Sequence, residues 1–292
     1  MRTRSLFVSS VLGVALLGLA GSASAAPAVQ IPTSYTYSQV DPIAPVTLNV
    51  SCPTVSGYSH KLLTGGSFSA SGFAINENRM VGSSWQVSAF NTTDYAQDIT
   101  VYANCLYWSG TPNATVKTTN AKATTINAGK TVSQTSSCGS GTVLLSGGYL
   151  SEVTNAQVPV FSLNGGSGNG WKVTGVNNTS AKHTLSTQVN CLSGWSFTKV
   201  VNKKTVTYKA SSSQTTPPNG EDEAEGMAWA VCGSGTLASG AGWNVVAHNN
   251  FPYQCVPSGA TEWICDMDYY GDGEYGDPSS LAYAECLTAP TP

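Results

Sequence analysis

Six of the eight cysteines in this 292-residue chain keep a fixed spacing. Cys52 and Cys105 are 53 positions apart, Cys138 and Cys191 are 53 apart, and Cys232 and Cys286 are 54 apart. Trp85 and Trp171 each lie 33 residues after the opening cysteine and 20 before the closing one; Trp263 lies 31 after and 23 before. A Gly-rich stretch follows each opening cysteine (TGG at 64–66, SGG at 146–148, SGAG at 239–242), and Leu follows each closing one, at 106, 192 and 287. Three copies of one unit account for all of this. The pattern predicts disulfides Cys52–Cys105, Cys138–Cys191 and Cys232–Cys286, with Cys255–Cys265 as a bridge private to the third copy. Zinc is the competing use of cysteine, but the CxxC pairs such sites favour do not occur.

The local pattern is that of strands. Trp85, Val87 and Ala89 alternate with polar residues, as do Trp171, Val173 and Gly175. The returning segments alternate too, through Ile99, Val101, Ala103 and Cys105, and through Leu185, Thr187, Val189 and Cys191. Period two predicts strands with one buried face. The stretches between, NTTDYAQ and NNTSAK, have turn composition and predict hairpins. VTLNVSC, KTVSQTSSC and MAWAVC read as entry strands. The fold expected is all-β, with about six strands in each of three homologous, disulfide-pinned units, a normal size for a β-sandwich. Residues 26–109 form the first unit, 110–198 the second and 199–292 the third, which carries acidic loops. A unit of about 90 residues is near the lower size for a self-sufficient β core, and a disulfide makes up the deficit. Two packings fit: tandem sandwiches, or sheets closed around a pseudo-threefold axis as in a β-prism.

Residues 1–25 read as a signal peptide. Arg2 and Arg4 precede an apolar run, and Ala23-Ser24-Ala25 fits the small-residue cleavage rule. Eight cysteines behind an export signal imply an oxidising compartment, hence a secreted, extracellular protein, with the periplasm as the alternative. No later apolar run has the length of a membrane span, so no transmembrane segment is expected after cleavage.

The series Cys52-Pro53, Gly65-Gly66, Trp85-x-Val87, Asn91 and Val101-Tyr102-Ala103-x-Cys105 resembles repeat units found in many secreted bacterial proteins. Those units read Cys-Pro-Ala-Gly, a Gly-Gly-Gly turn, Gly-Trp-x-Val, Asn and Val-Tyr-Ala-x-Cys. The resemblance covers most of the mature chain and implies a scaffold, with no general activity to carry over. The second copy departs from it with Cys138-Gly139, and the third replaces the Asn-containing turn with a longer segment. Threefold repetition with disulfides also resembles egg-coat β-prism proteins with lectin-like folds.

Charge is unevenly placed. Residues 26–220 hold eleven Lys and Arg against five Asp and Glu, whereas residues 221–292 hold eleven acidic residues and no Lys or Arg. DMDYYGDGEYGD (266–277) echoes an EF-hand loop, so Asp266, Asp268, Asp272, Glu274 and Asp277 are the candidate ligands for a calcium cofactor. Tyr270 stands at a ligand position and Asp277 replaces the bidentate Glu. Asp266 and Asp268 share a strand face about 7 Å apart, a spacing at which carboxylates hydrolyse glycosides. A secreted glycoside hydrolase using the carboxylates of 266–277 is therefore the alternative function. The leading expectation is a non-catalytic extracellular protein, structural, adhesive or glycan-binding, whose partners are surface or matrix glycans or copies of itself. Trp108 and Trp195, just past closing cysteines, are the candidate sugar-stacking residues. The other reading for each is packing against its own unit, covering the bridge or a seam between units. His60, His183 and His248 lie at unrelated offsets, no GxSxG elbow occurs, and the scattered Lys residues form no nucleic-acid motif. Asn91, Asn113 and Asn178 head Asn-x-Ser/Thr glycosylation motifs.

Overall fold

The computed structural model describes residues 29–109, 114–151, 160–167, 169–177, 179–194, 208–209, 222–232, 236–245, 250–257, 262–271 and 279–288. The described residues form strands and turns with no helix. In chain order the strands are β1 (Val29–Val40), β2 (Pro45–Ser51), β3 (His60–Ser69), β4 (Phe73–Val81), β5 (Ser84–Asn91) and β6 (Gln97–Trp108). Then come β7 (Thr115–Asn120), β8 (Thr124–Ile126), β9 (Lys130–Ser137), β10 (Val143–Ser151), β11 (Val160–Ser167), β12 (Gly170–Asn177) and β13 (His183–Ser193). The remainder are β14 (Tyr208–Lys209), β15 (Asp222–Val231), β16 (Thr236–Val245), β17 (Asn250–Pro257), β18 (Glu262–Gly271) and β19 (Ser279–Thr288). The expected signal segment, Trp195, Asn113, Asn178 and His248 lie outside the described residues.

Alternation sets the buried faces. β2 and β5 alternate strictly between exposed or half-buried and buried positions. Trp85, Val87 and Ala89 are buried, as are Trp171 and Val173. Glycine makes room for each indole. A Cβ on Gly66 would overlap the Trp85 ring, and one on Gly147 would overlap Trp171. The Gly-rich stretch thus supplies the flat strand surface on which the tryptophan lies.

All pairings among the described residues are antiparallel, and sheets run from one cysteine-framed segment into the next. One sheet has the order β1-β6-β3-β17-β18-β15; a second has β2-β5-β4-β10-β13-β7, with β8 also on β13. β11-β12-β9 and β14-β19-β16 form two further three-stranded sheets, with β11 lying against β16. The joins are Gln254 opposite Ser69, and Tyr149 and Leu150 opposite Asn78 and Glu77. Side chains reinforce the second join. Gln188 donates from Nε2 to Met80 O and accepts from Met80 N, while Tyr149 Oη donates to Ile75 O.

Each of the three disulfides among the described residues links two different sheets. Cys52, after β2, reaches Cys105 on β6; Cys138, after β9, reaches Cys191 on β13; Cys232, after β15, reaches Cys286 on β19. Their Cα–Cα distances are 5.7, 5.6 and 5.6 Å. The backbone register also sets Cys255 opposite Cys265 on β17 and β18.

One expectation is corrected. NTTDYAQ and the stretch after Asn177 do not close hairpins. β5 pairs with β2 and β4, whereas β6 pairs with β1 and β3; β12 pairs with β9 and β11, whereas β13 pairs with β7, β8 and β10. These connections cross from one sheet to another. Turn composition reports a reversal but not which sheet receives the returning strand.

At the centre, three strand pairs share one irregularity. The β3–β6 ladder is bulged between Leu63 and Gly65, β10–β13 between Leu144 and Ser146, and β16–β19 between Ala238 and Gly240. In each, the residue before the bulge faces the closing cysteine. β3, β10 and β16 touch pairwise, and Gly65, Ser146 and Gly240 come within contact of one another. Ser239 Oγ donates to Leu145 O at 2.8 Å and Asn104 Nδ2 to Ala238 O at 3.4 Å. The three leucines that follow the closing cysteines, Leu106, Leu192 and Leu287, meet in one buried cluster with Leu145 and Trp108.

Candidate functional site

Burial disposes of one proposed ligand contact. Trp108 is 2% exposed, stacked on His60 with ring centroids 5.0 Å apart and packed into the central leucine cluster. Neither ring face is open to a sugar, which corrects the stacking role and matches the packing alternative. Its apolar neighbours include Leu192 and Leu287, from segments more than eighty positions away, which a reading along the chain could not see. Trp195 lies outside the described residues.

The acidic segment is placed only in part. Asp266 and Asp268 lie within β18, which is paired along 263–269 on both sides, with β15 and with β17. The first half of the supposed calcium loop is therefore extended backbone, not the bent loop that wraps a cation. Asp268 faces Glu225 across the β15 ladder and Asp266 faces Met227. Asp272, Glu274 and Asp277 lie outside the described residues. Among the described residues no group of three or more His, Cys, Asp or Glu is arranged to hold a metal.

A different feature emerges at the end of the first segment, built around Asn91. This side chain is fully buried. Its Nδ2 donates to Val40 O (3.2 Å), Asp41 O (3.1 Å) and Tyr95 O (2.9 Å), while its Oδ1 accepts from Thr93 N and Thr93 Oγ1. One amide thus ties the β1–β2 turn to the β5–β6 crossover. Ile43 N donates to Thr93 O and adds a second tie. The Asn-x-Thr motif at 91–93 is therefore a structural lock, and the glycosylation reading of Asn91 is corrected by its burial.

The second segment repeats the lock. Asn177 Nδ2 donates to Ile126 O and Ala181 O, and its Oδ1 accepts from Thr179 N and Oγ1. Ala44 O accepts from Asn91 N, and Lys130 faces Asn177 in the β9–β12 register. That aligns Ile43 with Gly129 and Tyr95 with Ala181.

The two tips present different surfaces. On the first, Ile43 is 57% and Tyr95 58% exposed, the two most exposed large apolar residues among those described. Asp41 and Asp94 stand exposed beside them. Below the tip, Tyr37 Oη donates to Asp98 Oδ1 at 2.6 Å, and this bond raises the phenol above its ordinary value. On the second, Gly129 and Ala181 offer a flat surface flanked by exposed Lys130 and Lys182. Ile43 has φ of 49°, in the left-handed region that β-branched side chains avoid, and Gly129 has φ of 65° at the matching place. Sequence reasoning passed over Ile43 and Tyr95 because each sits in a stretch of turn composition. The signal was present: Pro42-Ile43 occupies a turn where the second segment has Ala128-Gly129.

No protein-family model matches this chain, and no curated protein is significantly similar to it. No helix among the described residues is long and apolar enough to cross a membrane.

Proposed function

We propose that this is a non-catalytic extracellular protein, structural or adhesive, that works by presenting a rigid binding surface. The observation that carries the proposal is the Ile43–Tyr95 tip: two exposed apolar residues whose backbone is tied down around a buried amide, on a scaffold whose sheets are stapled by disulfides. Apolar residues fixed at the end of a stiff β framework lose little entropy on contact, which favours binding. The disulfides support an oxidising compartment.

The register of β15 and β18 favours one competing reading, a glycoside hydrolase, because it sets Glu225 directly opposite Asp268. The purified, oxidised chain should be incubated with a panel of surface polysaccharides, scoring retention and released reducing sugar together. Retention of the chain, or its self-assembly, without sugar release is the outcome expected. Release of sugar that disappears in Asp268→Asn would overturn the proposal in favour of the hydrolase.

A further inference from the structure

The first tip carries a conformational cost that its counterpart avoids. Both turns need a residue with positive φ, and the second uses glycine. The first uses isoleucine, whose branched Cβ crowds its own backbone there. Nothing in the fold demands that side chain, since it is more than half exposed. Strain at an exposed position points to a use outside the molecule's own core. Tyr95, equally exposed and held through its carbonyl by Asn91, extends the same apolar knob.

Charge identifies the occupant. Residues 26–109 hold Asp41, Glu77, Asp94 and Asp98 against Lys61 and Arg79, and Arg79 is already paired with Glu77. Residues 110–198 hold five lysines and one acidic residue. The knob of the first tip is flanked by carboxylates; the matching tip of the second is small, flat and flanked by lysines. Apolar knob meets flat surface, and Asp41 and Asp94 meet Lys130 and Lys182.

We propose that the Ile43–Tyr95 tip of one molecule docks on the Gly129–Ala181 tip of a second copy, so that the protein associates head to tail. This rests on the structural or adhesive reading above and names its partner. The two surfaces are different patches of one chain, so the contact is heterologous. Each added copy leaves one tip of each kind free, which gives open chains unless the geometry closes a ring. The contact is small and ringed with exposed charge, so association is weak and falls as salt screens the ion pairs.

Sedimentation velocity on the purified, oxidised chain tests this, run over a concentration series at low and high salt. Wild type should show species larger than the monomer at low salt that dissociate at high salt. Ile43→Gly should weaken association at least tenfold with no fall in melting temperature, because glycine accepts the positive φ. Asp41→Lys with Asp94→Lys, and Lys130→Glu with Lys182→Glu, should each be monomeric alone and associate when mixed. A monomer at every concentration in low salt overturns the proposal, as does association that survives Ile43→Gly or both charge reversals. Should the wild type stay monomeric while Ile43→Gly or Tyr95→Ala loses polysaccharide binding, the tip serves a glycan instead. In that case the self-docking fails and the binding function stands.

Discussion

Replacing Asn91 with alanine removes the lock that joins the β1–β2 turn to the β5–β6 crossover. Three carbonyls lose a donor, and Thr93 loses an acceptor for both its N–H and its hydroxyl. Val40 O is the most deeply buried of the carbonyls, and leaving such a group unpaired costs about 1–3 kcal/mol. The partners nearer the surface recover water, so each adds about 0.5 kcal/mol or less. The total expected is about 1–5 kcal/mol, read as a lower urea midpoint at unchanged slope. Asn177→Ala should cost a similar amount, since Asn177 makes the same kinds of bond. Asn91→Asp is the sharper control. It keeps the shape but turns a carboxylate toward three carbonyls, so burial and repulsion raise its folded pKa above the ordinary value of about 3.9. Its deficit should therefore be smaller in acid and grow as pH rises through about 4. A loss below about 1 kcal/mol for Asn91→Ala, or a glycan found on Asn91 in the folded protein, would refute the reasoning.

Gly147→Ala and Gly66→Ala should each destabilise by about 1–3 kcal/mol, because the new methyl must displace a buried indole; denaturant titration with tryptophan fluorescence reads both effects. Replacing Cys138 and Cys191 together with alanine opens a 53-residue separation, for which the chain-entropy model expects a loss of about 4 kcal/mol, measured by the same titration. Burial pushes the Tyr107 phenol up to about 12 and raises Tyr149 further in the same direction. Both are neutral in the fold at pH 10, below which their contribution is intact; that of Tyr107 is lost as pH rises from there through about 12, and that of Tyr149 persists higher. Absorbance titration should show Tyr107 ionising near pH 12 and Tyr149 ionising only with unfolding.

Much of the architecture is legible in the sequence because covalent spacing and strand period are local signals. Cysteines at equal separations marked the three long bridges, and alternation around Trp85 and Trp171 marked the buried faces. What period two cannot carry is sheet membership. β5 and β6 read as a hairpin, but Asn91 sends the chain across to the other sheet. The same limit hid the fate of Trp108, whose cover includes Leu192 and Leu287 from two later segments. Asp266 and Asp268 echoed a calcium loop through composition, yet strand pairing holds them extended. The tip formed by Ile43 and Tyr95 required both partners of a lock fifty residues apart in sequence.

Shared sheets, a common centre at Gly65, Ser146 and Gly240, and the pooled leucines imply that the cysteine-framed segments stabilise one another. Differential scanning calorimetry of the oxidised full chain, at high salt to hold it monomeric, addresses this most directly. The account predicts a single endotherm whose calorimetric and van't Hoff enthalpies agree. Two or three resolved transitions, each with the enthalpy of an isolated segment, would contradict it.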